Sequence, residues 1–75
     1  MTLASLQFGH KYVIDEVDAA HPDVQRLMVL GLVEGAEIVL ASTAIGGDPL
    51  EFHLMGNAIS LRREHANRFT VSLID

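Results

Sequence analysis

The stretch Arg26-Leu27-Met28-Val29-Leu30-Gly31-Leu32-Val33-Glu34-Gly35 makes the chain change its kind of structure twice in quick succession. Just upstream, Pro22 and Asp23 suit the opening of a helix. Proline needs no amide donor at the first helical position, and a carboxylate there meets the positive end of the helix dipole. Val24, Leu27, Met28 and Leu30 recur at near-helical spacing and give that helix one apolar face, with Leu27 and Leu30 expected in the core. Gly31 stands where a left-handed residue would stop the helix, and Leu32 follows to cover its end. Gly35 then fits a turn position of positive φ ahead of the apolar run Ile38-Val39-Leu40. Helix, stop, turn and strand follow one another directly, and the rest of the chain reads as β-structure gathered around this unit.

Thr2 can cap a single helical turn in which Leu3 and Leu6 are buried and which Gly9 ends. Tyr12 and Ile14 share one strand parity and Val17 breaks it, as a strand with a bulge would. Ile38 and Leu40 lie on one face of the next strand, with Glu37 and Val39 on the other. Ile45-Gly46-Gly47-Asp48-Pro49 reads as a loop, since neither Gly-Gly nor Asp-Pro sits well inside a strand. Leu50, Phe52 and Leu54 alternate with Glu51, His53 and Met55, the clearest strand signal in the chain. Gly56-Asn57 is a two-residue hairpin signal leading to Ile59 and Leu61. Glu64-His65-Ala66-Asn67 suits one helical turn, and Phe69, Val71 and Leu73 form a last strand. About five short strands with short helices predict a small barrel, because closing the sheet removes its exposed edges.

Size and charge narrow the function. The 75 residues make one domain, 1–75, and with 49% apolar residues a packed core is expected without staples. No cysteine is present, which excludes disulfides and thiolate metal sites. The segment Met1-Thr2-Leu3-Ala4-Ser5-Leu6 has neither the basic region nor the long apolar run of a signal peptide, and no apolar run approaches the ~20 residues of a membrane span. A cytoplasmic protein without direct membrane insertion is expected. The formal net charge of −5 disfavours nucleic acid as the partner, and the single tyrosine and scattered basic residues give no stacking platform.

Arg26-Leu27, then Leu30-Gly31-Leu32 and Gly35, resemble the central motif of the FeoA family, small accessory proteins of bacterial ferrous iron transport. The resemblance continues through Gly47-Asp48-Pro49, the hairpin, Leu61-Arg62, Ala66 and Val71, and so covers essentially the whole chain. Thr43-Ala44-Ile45 departs from it, since a proline often stands shortly before the family's glycines. The resemblance implies an SH3-like β-barrel with a helix inserted after the first strand. It also implies a cytosolic partner of the membrane ferrous-iron permease that carries a GTPase domain (FeoB-like), located at the inner face of the membrane when bound. The same barrel resembles the C-terminal domain of iron-dependent repressors, so a metal-responsive sensor module is the alternative.

No residue set points to catalysis or to a cofactor. The serines lack a nucleophile-elbow context, and Gly46-Gly47 is too short for a phosphate cradle and lacks the Gly-Lys-Ser/Thr ending. His10, His21, His53 and His65 contain no HxxH or HxH pair, so no metal site is assigned, although Glu51 and His53 on one strand face could form a weak surface chelate. Asp15, Glu16 and Asp18 read as a solvated acidic face. The chain is therefore expected to be an interaction module, with weak self-association open. A short helix on a small barrel cannot bury its whole circumference, which leaves Met28, Val29 and Leu32 as candidate partner contacts beside the loop Ile45, Gly46, Gly47, Asp48 and Pro49. Arg26 adds a charge at the edge of that patch.

Overall fold

A computed structural model describes residues 1–74. Five antiparallel strands form one sheet: β1 (Tyr12–Val17), β2 (Glu37–Thr43), β3 (Leu50–Leu54), β4 (Asn57–Leu61) and β5 (Phe69–Leu73), in the order β4-β3-β2-β1-β5. Helix α1 (Pro22–Val29) is inserted between β1 and β2, and α2 (Arg63–Ala66) between β4 and β5. A 3₁₀ turn over Leu3–Ser5 precedes β1, and another over Ile45–Gly47 lies within the loop between β2 and β3.

The alternation in the strands sets the core. Tyr12 and Ile14 of β1, Ile38 and Leu40 of β2, Leu50, Phe52 and Leu54 of β3, and Phe69 and Val71 of β5 are all buried. Register shifts between Ile14 and Glu16 and between Leu40 and Ser42 mark bulges, which bend and twist the strands so that the sheet curls over its own core. The result is a small SH3-like fold of five strands, as expected. The hydrogen-bonded ladder, however, does not close: β4 and β5 are its two ends and do not pair with each other.

Helix α1 opens as the sequence predicts, with Pro22 at its first position and the His21 side chain capping it by accepting from the Asp23 amide. It stops through two reversed hydrogen bonds, Gly31 N–H to the Met28 carbonyl and Leu32 N–H to the Leu27 carbonyl. These satisfy two of the helix's unpaired carbonyls and require the left-handed residue that Gly31 supplies at φ 108°. Gly35, at φ 86°, makes the second turn and donates its N–H to the Ile14 carbonyl.

Four expectations are corrected. Leu30 is not core but 59% exposed, whereas Leu32, expected at the surface, is fully buried. Val24 sets the inward direction of α1, and Leu27 and Met28, three and four residues on, pack beside the core. Leu30 comes six residues after Val24, about 240° around the helix, and so faces away. Leu32 lies beyond the stop, where the reversed chain carries it inward; burying such a leucine stabilises by about 1.5–3 kcal/mol. The hairpin turn is Met55-Gly56, one residue earlier than Gly56-Asn57, because Leu54 pairs with Asn57 and both Met55 and Gly56 take positive φ. Finally, the first helical turn ends at Leu6, while Gly9 belongs to a separate turn before β1.

Candidate functional site

The expected docking residues fall into two groups at opposite ends of β3. The end of α1 lies at the Leu54 end, where a Cβ added to Gly31 would come within 3.2 Å of Leu54 Cδ2. The loop Ile45–Pro49 lies at the Leu50 end, roughly 13 Å away along the strand. The two do not form one continuous patch through β3. Within the first group Val29 is 86% exposed and Met28 half-buried, Arg26 is exposed, and Leu32 drops out because it is buried.

Leu30, which the sequence assigns to the core, takes the place of Leu32. It lines an open groove of ≈ 360 Å³ together with Asn57, Ala58, Ile59 and Ser60 of β4. Met55, in the hairpin that leads into β4, is 75% exposed. This end of the molecule therefore presents apolar side chains from a helix end, a strand edge and a turn. Nothing in the sequence of β4 alone marks it as part of a site; the signal is topological, since only the strand order shows that β4 is an edge.

The loop group is held by a clasp that sequence spacing gave no means of finding. Arg63 Nε donates to the Gly47 carbonyl at 2.7 Å and Arg63 Nη1 to the Ala4 carbonyl at 2.9 Å, while the Arg63 amide donates to Asp48 Oδ1 at 3.1 Å. One arginine thus joins α2, the glycine loop and the N-terminal turn. It sets the loop's position, and Ile45 projects from it fully exposed. Of the expected loop residues, Asp48 and Gly47 are therefore engaged in holding the loop, and Ile45 is the apolar side chain offered outward.

The histidines also meet a partner that their spacing hides. His65 Nε2 lies 3.3 Å from Asp23 Oδ2 and His21 Nδ1 4.0 Å from the same oxygen, so α1 and α2 are tied at one carboxylate. Among the described residues no group of three or more histidine and acidic side chains is arranged to hold a metal ion. A separate polar groove runs along Glu16, Asp18, Glu64, Asn67 and Arg68, where Arg68 Nη1 donates to Asp18 Oδ2 at 3.1 Å. Among the described residues no helix is long and apolar enough to cross a membrane.

Comparison with known proteins agrees with this architecture. The FeoA domain family model matches residues 1–73. A fusion protein of Porphyromonas gingivalis, named for Fe(2+) transport protein A and the Fe(2+) transporter FeoB, is 34% identical over 74 residues, covering 99% of this chain and 9% of its own length. The chain thus spans less than a tenth of that relative. Among solved structures, the FeoA protein of Chlorobium tepidum is 38% identical with a TM-score of 0.88, covering all of this chain and 71% of that one. Iron(II) transport protein A of Clostridium thermocellum is 27% identical with a TM-score of 0.92, over 99% of this chain and 46% of that one. FeoA of Stenotrophomonas maltophilia, an SH3-domain protein crystallised with zinc, is 30% identical with a TM-score of 0.82, over 96% and 89%.

Proposed function

The chain belongs to the FeoA family, whose members are involved in ferrous iron transport, and on that premise we propose that it is a cytosolic accessory protein that docks on a FeoB-like ferrous-iron permease and modulates uptake. The observation that carries this reading is the fusion relative, in which a segment 34% identical to almost the whole of this chain shares one polypeptide with a Fe(2+) transporter. Parts fused in one protein are held at high effective concentration, and a separate module needs a docking surface to reach the same end. Docking uses the two exposed apolar groups: Val29 with Met28 and Arg26 on α1, and Ile45 on the loop that Arg63 fixes. An aliphatic knob on a restrained loop loses little freedom on binding, which favours it as an anchor. The module performs no chemistry of its own; nucleotide hydrolysis belongs to the permease's GTPase domain, at the inner face of the membrane.

The reading is tested by capture of the permease's cytosolic domain on immobilised protein. Val29→Asp and Ile45→Asp alter exposed side chains, so both variants should keep the wild-type melting temperature and lose most of the capture. Full capture by both folded variants would place docking elsewhere on the molecule and overturn the assignment.

A further inference from the structure

The sheet has two ends, and β4 is the one left bare. In a two-residue hairpin the residues flanking the turn exchange both of their backbone hydrogen bonds, so Leu54 and Asn57 form a bonded pair. Alternation along the ladder then directs the N–H and C=O groups of Ile59 and Leu61 to β3, and those of Ala58 and Ser60 away from it. Among the described residues no other backbone group meets the outward set. Proteins defend such edges with a charge, a proline or a bulge. Asn57-Ala58-Ile59-Ser60-Leu61 has no charge and no proline, and its register with β3 runs without a shift. Alongside lies the groove of Leu30, Ala58 and Ile59.

An exposed strand edge, otherwise hydrogen-bonded to water, is a template for another extended backbone, whose alternate side chains here enter that groove. Charge narrows the occupant further. Arg63 and Arg68 are engaged in hydrogen bonds within the domain. Among the described residues, the side chains of Arg62, directly after β4, and Arg26, one helical turn before Leu30, have neither an ion pair nor a hydrogen bond. In a chain of net charge −5, one uncompensated guanidinium group thus directly follows the uncharged edge, and a second stands on α1, the helix whose end lines the groove through Leu30. We propose that the open edge of β4 binds an extended segment of a partner polypeptide, apolar at alternate positions and carrying carboxylates that meet Arg26 and Arg62. The inference goes beyond the permease reading and holds whichever protein supplies the segment.

The test is a titration of isotope-labelled protein with a capped peptide of alternating valine and threonine flanked by aspartates, followed by amide chemical shifts. The Ala58 and Ser60 signals should move most. A peptide with the same core flanked by lysines should bind at least roughly tenfold more weakly, and Arg62→Glu should reverse that preference. Ser60→Pro removes an outward donor without touching the ladder to β3 and should abolish binding with the melting temperature unchanged. If Ser60→Pro does not fold, Ala58→Pro removes the other outward donor. Binding that survives in either folded proline variant, or shifts confined to other surfaces, overturns the proposal. Ala58 and Ser60 signals that move with protein concentration and no peptide would assign the edge to a second copy of the chain instead, and overturn it as well.

Discussion

The two edge strands are equally long, five residues each, yet they are left in opposite states. Along β5 the N-terminal residues form a short cover: Thr2 bridges to Thr70, and the Val71 N–H donates to the Met1 carbonyl at 2.9 Å. Leu3, fully buried, pins that cover to the core, and Arg63 holds the following turn through the Ala4 carbonyl. Along β4 nothing comparable is present among the described residues. The same SH3-like sheet thus stabilises one side with its own chain and keeps the other open. The difference teaches that an uncovered edge here is not a general property of so small a fold, because the chain has a device for covering one and uses it once.

The comparison can be broken most forcefully from the covered side. Leu3→Ala removes the buried anchor of the cover and should cost about 2–5 kcal/mol in urea denaturation, with concentration-dependent association appearing as β5 becomes a second bare edge. A loss well under 1 kcal/mol would mean that the cover is incidental. Arg63→Ala deletes two exposed hydrogen bonds and should cost about 1–2 kcal/mol. It should also raise amide exchange in both the Ile45–Pro49 loop and the N-terminal turn, and a rise in only one of them would show that the clasp does not couple the two.

On the open side the effects are smaller and one reverses in sign. Met55 occupies a positive φ of 52°, which suits asparagine better, so Met55→Asn should stabilise the hairpin by about 0.4–1 kcal/mol, read as a higher melting temperature. Ala58→Lys places a charge on the bare edge and should leave stability within about 0.5 kcal/mol while reducing aggregation on storage at high concentration. Destabilisation by several kcal/mol would show that Ala58 is packed rather than exposed.

Much of this architecture is legible in the sequence, for a physical reason. Pro22, Gly31 and Gly35 act locally, each through its own backbone preference, and the structure places each in the role its type suggests. The alternation of Leu50, Phe52 and Leu54 is likewise a local record of burial. What escapes is what depends on distance along the chain. Leu30 and Leu32 exchange their expected places because the helix stop between them redirects the chain, so a single periodicity cannot describe both. The Arg63 clasp joins residues 59 positions apart, and the Asp23–His65 contact spans 42. The candidate groove is hidden for the same reason: Leu30 belongs to a helix end and Ile59 to a strand, and only the folded sheet brings them to one surface.

The Arg63 tie to Ala4 also sets an order of events during synthesis. Residues 1–5 are made well before β5, which they cover, and before the arginine that fastens them. Contacts across so long a stretch of chain form late, after the loop-closure entropy of the intervening strands has been overcome. Until then residues 1–5 of a nascent chain have no β5 to cover, and a newly finished β5 is as bare as β4. The interval between completing residue 73 and docking residue 3 is therefore when two such chains are most prone to pair with each other, and a slower return of the N-terminal turn would lengthen that exposure without altering the final fold.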